Sequence, residues 1–291
     1  GLGDVYKRQA EYIDWTPFFH TWGLRGRFPA ILNEGEFAEA ARPLHDDARR
    51  MLDRIVNEQW FGPRAVVGFW PARRSGDDIA LDGSLDGSFG HHLFGLRQQL
   101  RRRDRKPNLS LADFVASADA GVTDHLGAFA VTAGPEEIAV AERFESENDD
   151  YSSILVKALA DRFAEAAAEY VHARVRRELW GYASDESYSP EELIGEPYRG
   201  IRPAPGYPAQ PDHSEKATIF ELLDAERRIG VGLTESFAMT PGSSVSGLYF
   251  AHPDARYFAV GKIQRDQLES YAERKNWTIA EAEDALRPNL V

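Results

Sequence analysis

Val245-Ser246-Gly247-Leu248-Tyr249-Phe250-Ala251, then His252-Pro253-Asp254, then a run ending Tyr257-Phe258-Ala259-Val260-Gly261-Lys262-Ile263, decides how this chain is read. The runs Val245–Ala251 and Tyr257–Ile263 alternate in character on either side of a proline-centred turn, which is the pattern of an antiparallel hairpin. Upstream, Ala65–Trp70 (AVVGFW) is a short β-rich run ended by Pro71, with Ile79–Leu81 expected to pair with it. Leu126–Thr132 (LGAFAVT) is the next strand. Strands grouped in this way, without repeated βαβ alternation, favour an α+β fold built on a mainly antiparallel sheet.

Helical periodicity fills the intervals. Ala40, Leu44, Ala48, Leu52 and Ile55 recur at spacings of three and four between Glu36 and Gln59, where Pro43 marks a nearby start or a break. A longer helical stretch runs from Pro135 to about Trp180, interrupted near Asn148–Tyr151. Ser189-Pro190-Glu191-Glu192 has the form of a capped helix start, and another helix is expected from Ser214 to Gly230 or Gly232. Two short helices close the chain, the second opening on the capping-box pattern Thr278-Ile279-Ala280-Glu281. Residues 1–9 (GLGDVYKRQ) follow neither period and are set aside as a junction or non-native segment, leaving 10–291 as the domain.

The chain has 291 residues, 34 Lys+Arg against 47 Asp+Glu, a formal charge of −13 and no cysteine. Zero cysteines excludes disulfides, thiolate zinc sites, iron–sulfur clusters and thiol nucleophiles. The negative balance argues against a non-specific nucleic-acid partner, and a run of Arg101, Arg102, Arg103, Arg105 and Lys106 reads as a solvated loop. No run reaches the ~18–20 apolar residues of a membrane span, so no membrane partner is expected and a cytoplasmic location is the default. His91-His92, in a loop flanked by Gly and Ser, is the one close histidine pair, and no metal ligand set is expected. The chain also lacks a Gly-x-Ser-x-Gly elbow, a Walker loop and a strand-linked Gly-x-Gly-x-x-Gly, so no catalytic residue is assigned.

The segment Arg202-Pro203-Ala204-Pro205-Gly206-Tyr207 is the most unusual in the chain. Two prolines and a glycine hold it in a pre-shaped track whose carbonyls and amides are free to face a ligand, and Arg202 offers a fork suited to a carboxylate or phosphate. A rigid connecting loop with a structural arginine is an equal reading. Asp14 lies among Tyr12, Trp15 and Phe18, where it either caps the turn shaped by Pro17 or meets an amine or sulfonium. Asp161, Glu165 and Glu169 share one helix face, which is either solvated or faces a cationic ligand.

These segments resemble the C-terminal activation domain of cobalamin-dependent methionine synthase. The resemblance is carried by Tyr12-Ile13-Asp14-Trp15-Thr16-Pro17-Phe18-Phe19, Lys157-Ala158-Leu159-Ala160-Asp161-Arg162, Gly200–Pro208 (GIRPAPGYP) and Thr234-Glu235-Ser236-Phe237-Ala238-Met239. Gly76-Asp77-Asp78-Ile79, Leu111-Ala112-Asp113-Phe114-Val115 and Ile263-Gln264-Arg265-Asp266-Gln267 add to it, so that it spans Tyr12 to Leu290. It implies a single C-shaped activation domain with a twisted antiparallel sheet and surrounding helices. That domain binds S-adenosylmethionine (AdoMet) as methyl donor and supports reductive methylation of cob(II)alamin to methylcobalamin. Cobalamin would be held by a separate module, zinc by another N-terminal module, and flavodoxin or a flavoprotein reductase would supply the electron.

Matched residue by residue, the resemblance implies that Arg202 pairs with the AdoMet carboxylate and that the backbone at Ala204 meets the ligand. Gly206 and Tyr207 complete the motif. Asp14 would take the ammonium, Glu165 would be the helix acid near the ligand, and Tyr257 and Phe258 the aromatic contacts. The chain departs from the family pattern at Gln210, where some relatives carry Cys, and over residues 82–108. It has no Asp-x-His-x-x-Gly cobalamin motif, since Gly90 stands where the Asp would precede His92 and Gly95. An AdoMet-sensing docking module without a direct role in methyl transfer is the alternative; an independent methyltransferase is disfavoured by the missing Gly-rich turn.

Overall fold

The computed structural model describes residues 7–82, 90–101 and 106–291. Arg102, Arg103 and Arg105 of the basic run lie outside them, as do residues 1–6 and most of the Asp/Gly/Ser stretch. Of the segment set aside at the N-terminus, residues 7–10 are helical and Gln9 is buried.

Five strands form one antiparallel sheet, β1 (Arg64–Ser75), β2 (Asp78–Leu81), β3 (His91–Leu93), β4 (Asp124–Thr132) and β7 (Ser244–Tyr249), in the order β3-β2-β1-β4-β7. The α+β reading therefore holds. β5 (Gly232–Leu233) and β6 (Met239–Thr240) form a separate two-stranded ribbon. The helices are α1 (Trp15–Thr21), α2 (Ala38–Glu58), α3 (Glu136–Ser146), α4 (Asp150–Arg174), α5 (Pro190–Leu193), α6 (Glu215–Leu223), α7 (Ala225–Ile229), α8 (Arg265–Lys275) and α9 (Ile279–Leu286).

β4 explains the layering. Its Leu126–Thr132 run is buried along its whole length, as a strand covered on both faces must be. Alternation divides it: Phe129 and Val131 pack with Ala167 and Ala168 of α4, whereas Ala128 and Ala130 cluster with Ile219, Phe220 and Leu223 of α6. The alanine-rich α4 lets neighbours approach on several sides, and its Leu155, Leu159 and Phe163 also join α2 through Leu44, Leu52 and Ile55. A further cluster around Leu268, Tyr271 and Leu286 joins α8 and α9 to Val260 and Ile263.

Several local expectations need correction. β1 does not end at Pro71: that residue pairs opposite His125, its carbonyl accepts from the Asp82 amide, and the strand runs on to Ser75. β2 meets only this extension, Ala72–Ser75. His91 and His92 belong to β3 and not to a loop. α2 runs through Pro43 without a break. The helix expected from Ser214 is divided at Asp224, which adopts a left-handed conformation (φ 50°) between α6 and α7.

The largest correction concerns the hairpin. Val245–Tyr249 is a strand, but Tyr257–Ile263 is not its partner. The outer edge of β7 is already taken by the track: Ile201 and Phe250 exchange amide–carbonyl hydrogen bonds at 3.0 and 3.1 Å, and the Leu248 amide donates to the Pro203 carbonyl at 2.9 Å. The second run instead crosses the far side of the track, where the Val260 amide donates to the Pro208 carbonyl at 2.8 Å.

Close seating of the track requires Gly247. A β-carbon there would stand 2.7 Å from the Pro203 carbonyl oxygen. Gly247→Ala should therefore cost roughly 1–3 kcal/mol of stability, the usual penalty of overpacking, seen as a lower urea midpoint. An unchanged midpoint would mean that the track is not held at this distance.

Candidate functional site

Local chemistry shapes the loop that follows the β7 edge. Gly200 (φ 86°) turns the chain onto the strand, and Gly206 (φ 91°) turns it back. Gly206 is required twice over, because a β-carbon would also lie 2.2 Å from the His213 ring. The Tyr207 amide donates to the Ala204 carbonyl, the Gln210 amide to the Tyr207 carbonyl and the Gly206 amide to the Gln210 carbonyl. These bonds close residues 204–210 into a compact turn.

Beneath this loop lies a cavity of about 910 Å³, a volume suited to a small organic ligand. Arg202, Pro203, Ala204, Pro205, Tyr207 and Pro208 form one wall, and Ser244, Val245 and Ser246 of β7 with Phe129 of β4 form the floor. Glu165 of α4 and Glu196 supply carboxylates at its margin, and Tyr257, Phe258 and Ala259 close another side. His213, Lys216, Ser236, Ala238 and Met239 complete the lining.

Six of the eight residues expected from the sequence, Glu165, Arg202, Ala204, Tyr207, Tyr257 and Phe258, thus face one space. Gly206 shapes the loop from within its turn. Asp14 lies outside the lining; its Oδ1 accepts from the Thr16 amide at 2.9 Å as the N-cap of α1. Of the two readings of Asp14, the cap is the contact that is formed. Sequence reasoning did not single out Glu196, His213 or Lys216, and it treated Glu169 only as part of a helix face.

Arg202 is the focus of the site. Its backbone amide donates to the Tyr257 hydroxyl at 3.1 Å. Its Nη2 meets Glu169 Oε2 at 2.8 Å, with both side chains largely buried. Its Nη1 is buried and has no partner within the protein. A buried guanidinium donor without an acceptor is costly, and the residue that carries it lines the cavity. Burial pushes the Glu169 carboxyl up, opposed by Arg202 and Arg176. Burial, the largest single influence on Arg202, opposes its charge, but Glu169 together with Tyr198, Tyr257 and Glu165 outweighs it and holds the guanidinium more firmly protonated.

Two further ties set the walls. The Lys216 ammonium contacts His213 Nδ1 at 2.8 Å and donates to the Phe237 carbonyl at 2.9 Å, fastening the 234–239 segment to α6. Burial lowers both Lys216 and His213 from their ordinary values. Past the loop, the Lys275 ammonium reaches Asp212 at 2.7 Å, Glu215 at 2.6 Å and the Ser214 hydroxyl at 2.6 Å, and Tyr271 also donates to Asp212. This cluster pins the end of the loop to α8. Among the described residues, no group of three His, Cys, Asp or Glu is arranged to hold a metal ion. No helix among them is long and apolar enough to cross a membrane.

An α+β domain with a pre-shaped loop over a half-open, mostly apolar cavity, lined by an arginine and two carboxylates, has the form of a binding domain for a small organic ligand. The chain belongs to the family described as "Vitamin B12 dependent methionine synthase, activation domain", whose family model matches residues 6–276. It is similar to the protein in the "Crystal Structure of the MetH Reactivation Domain bound to AdoHcy", with 53% identity and a TM-score of 0.94 over 98% of this chain and 88% of that one. Family membership makes it a domain of methionine synthase, a cobalamin-dependent methyltransferase.

The Lys275 cluster carries a pH signature. Burial, against the pull of Lys275, pushes the Glu215 carboxyl up to about 7 from 4.5. A carboxyl raised on folding contributes stability that is full below its unfolded value and is lost as pH rises through its folded value. The stability of the wild type relative to Glu215→Gln should therefore fall as pH is raised from about 4.5 to about 7, measured by chemical denaturation across that window. A difference that grows with pH would contradict the assignment.

Proposed function

We propose that this domain binds AdoMet, and its demethylated product, in the cavity under the Arg202–Tyr207 loop, and that it presents the methyl group for reductive methylation of cob(II)alamin. The observation that carries the reading is that Arg202, a residue lining the cavity, has a buried Nη1 with no partner within the protein. AdoMet has one carboxylate for that donor. It also has two cationic centres, an ammonium, whose partner by the resemblance is Asp14, and a sulfonium, near which Glu165 and Glu196 supply carboxylates. The bound AdoHcy of the similar MetH domain supports the same ligand class.

The residues of this chain bind and orient. Arg202 fixes the amino-acid end, Ala204 offers backbone to the ligand, and Tyr207, Tyr257 and Phe258 enclose its apolar surface. Gly206 keeps the loop in the shape that permits this. Asp14 acts from outside the lining, with one oxygen engaged in its cap and the other directed by the resemblance to the ammonium. The sulfonium is already an activated methyl donor, so the domain accelerates transfer by holding the methyl in line with its acceptor, without a general base. Cobalamin, carried by a separate module, supplies the cobalt that accepts the methyl. Flavodoxin or a flavoprotein reductase provides the electron, and zinc chemistry belongs to a further N-terminal module.

Arg202→Ala should weaken AdoMet and AdoHcy binding by about 2–3 kcal/mol, the order of a lost charge-assisted bond; unchanged affinity by calorimetry refutes the site. Asp14→Asn keeps a capping oxygen and should weaken binding less than Arg202→Ala. An equal or greater loss would mean that the charge of Asp14 outweighs its hydrogen bonding in holding the ammonium. The role is tested by mixing the chain with a cob(II)alamin-loaded module, AdoMet and reductant. Methylcobalamin should appear in the visible spectrum; AdoMet binding without it would leave a sensing role.

A further inference from the structure

Arg202 is held from behind by side chains that do not line the cavity. Glu169 Oε2 takes its Nη2 at 2.8 Å. The other oxygen of Glu169 lies 3.8 Å from Arg176 Nη1. Arg176 is fully buried and donates from Nε and Nη2 to the two oxygens of Glu186, at 2.7 Å each. The charges alternate, Glu186, Arg176, Glu169, Arg202, and sum to zero, so the row is buried without a net charge.

The backbone is adapted to place this row. α4 gives way at its C-terminus to a π-helical turn, Val175–Leu179, which includes Arg176. Such a turn carries an extra residue and re-aims side chains relative to regular α-helix. The Arg176 guanidinium stands over the Tyr198 ring, 3.8 Å from its centroid, and Tyr198 in turn meets the buried His172 edge-on. Arg176 is thereby fixed on one face by an aromatic ring and at its end by a two-point carboxylate grip.

We infer that Glu186, Arg176 and Glu169 form a positioning chain that orients the Arg202 guanidinium with Nη2 occupied and Nη1 offered to the cavity, making the site selective for ligands whose amino-acid end carries a carboxylate. This rests on the reading of the cavity proposed above. Left alone beside Arg202, Glu169 would compete with the ligand carboxylate for both donors. The charge of Arg176, 3.8 Å from the other oxygen of Glu169 and beyond hydrogen-bond range, attracts that oxygen and favours an arrangement in which Glu169 engages Arg202 through Oε2 alone.

AdoMet and decarboxylated AdoMet differ only by the group in question, and calorimetry with both ligands on the full chain tests the inference. Glu169→Ala should weaken AdoMet about tenfold, of the order of one lost charge-assisted contact, and leave decarboxylated AdoMet within about twofold. Glu169→Gln, whose amide oxygen still accepts from Nη2, should recover most of that loss. Glu186→Ala, remote from the cavity, should show a smaller loss confined to AdoMet, and serves in place of Glu169→Ala if that variant does not fold. Tighter AdoMet binding in Glu169→Ala would make Glu169 a competitor and overturn the chain, as would equal losses for both ligands. If Arg202→Ala weakens both ligands equally, the cavity reading falls; if it weakens AdoMet selectively and the Glu169 and Glu186 variants do not, only the positioning chain falls.

Discussion

The pairing of Ile201–Pro203 with the edge of β7 is the constraint on which the site depends. Three backbone hydrogen bonds fasten the track to a strand that is itself paired with the buried centre of the sheet. The track thereby inherits the rigidity of the core, although it has the composition of a loop. Arg202 lies between two of these anchored residues, so its side chain leaves the backbone at a fixed place. Its amide bond to Tyr257 ties the returning segment to the same point. Sites held on such scaffolded backbone keep their geometry better than sites on free loops.

Buried charge then refines what the backbone has placed. One group of ions stands behind Arg202 and another, around Lys275, holds the far end of the loop. Such pairs add little net stability over apolar packing, yet removing one member leaves an uncompensated charge at a cost of roughly 3–5 kcal/mol. The loop is therefore fixed at both ends by interactions that penalise displacement more than they reward formation. The apolar middle, from Pro203 to Pro208, is left to meet a ligand.

The legibility of this chain in its sequence follows the range of the forces involved. The helical spans around Leu44 and Leu52, the caps at Ser189 and Thr278 and the buried run Leu126–Thr132 are local patterns, and all form where expected. The pairing of Tyr257–Ile263 with Val245–Tyr249 did not form because the choice of strand partner is non-local: a distant segment with two prolines took the edge first. Pro71 misled for a related reason, since a strand that exchanges one partner for another tolerates a missing amide at the crossing. In the site, Arg202, Tyr207 and Tyr257 were marked by unusual local composition or by family resemblance, and they face one cavity. Glu196 and Lys216 have no such signature; only the fold brings them there. Glu169 was visible as the third acid in a four-residue spacing, but its ion pair was not.

The covered edge of β7 also bears on how the domain lives beside other chains. An exposed strand invites a strand from any neighbour, and proteins with long bare edges are prone to join one another through them. Here one end of the sheet is overlaid by the track, and the other ends in β3, only three residues long. The two terminal strands of the sheet thus offer a neighbouring chain little backbone to pair with. The segment that shapes the cavity also spares this edge a neighbour's strand.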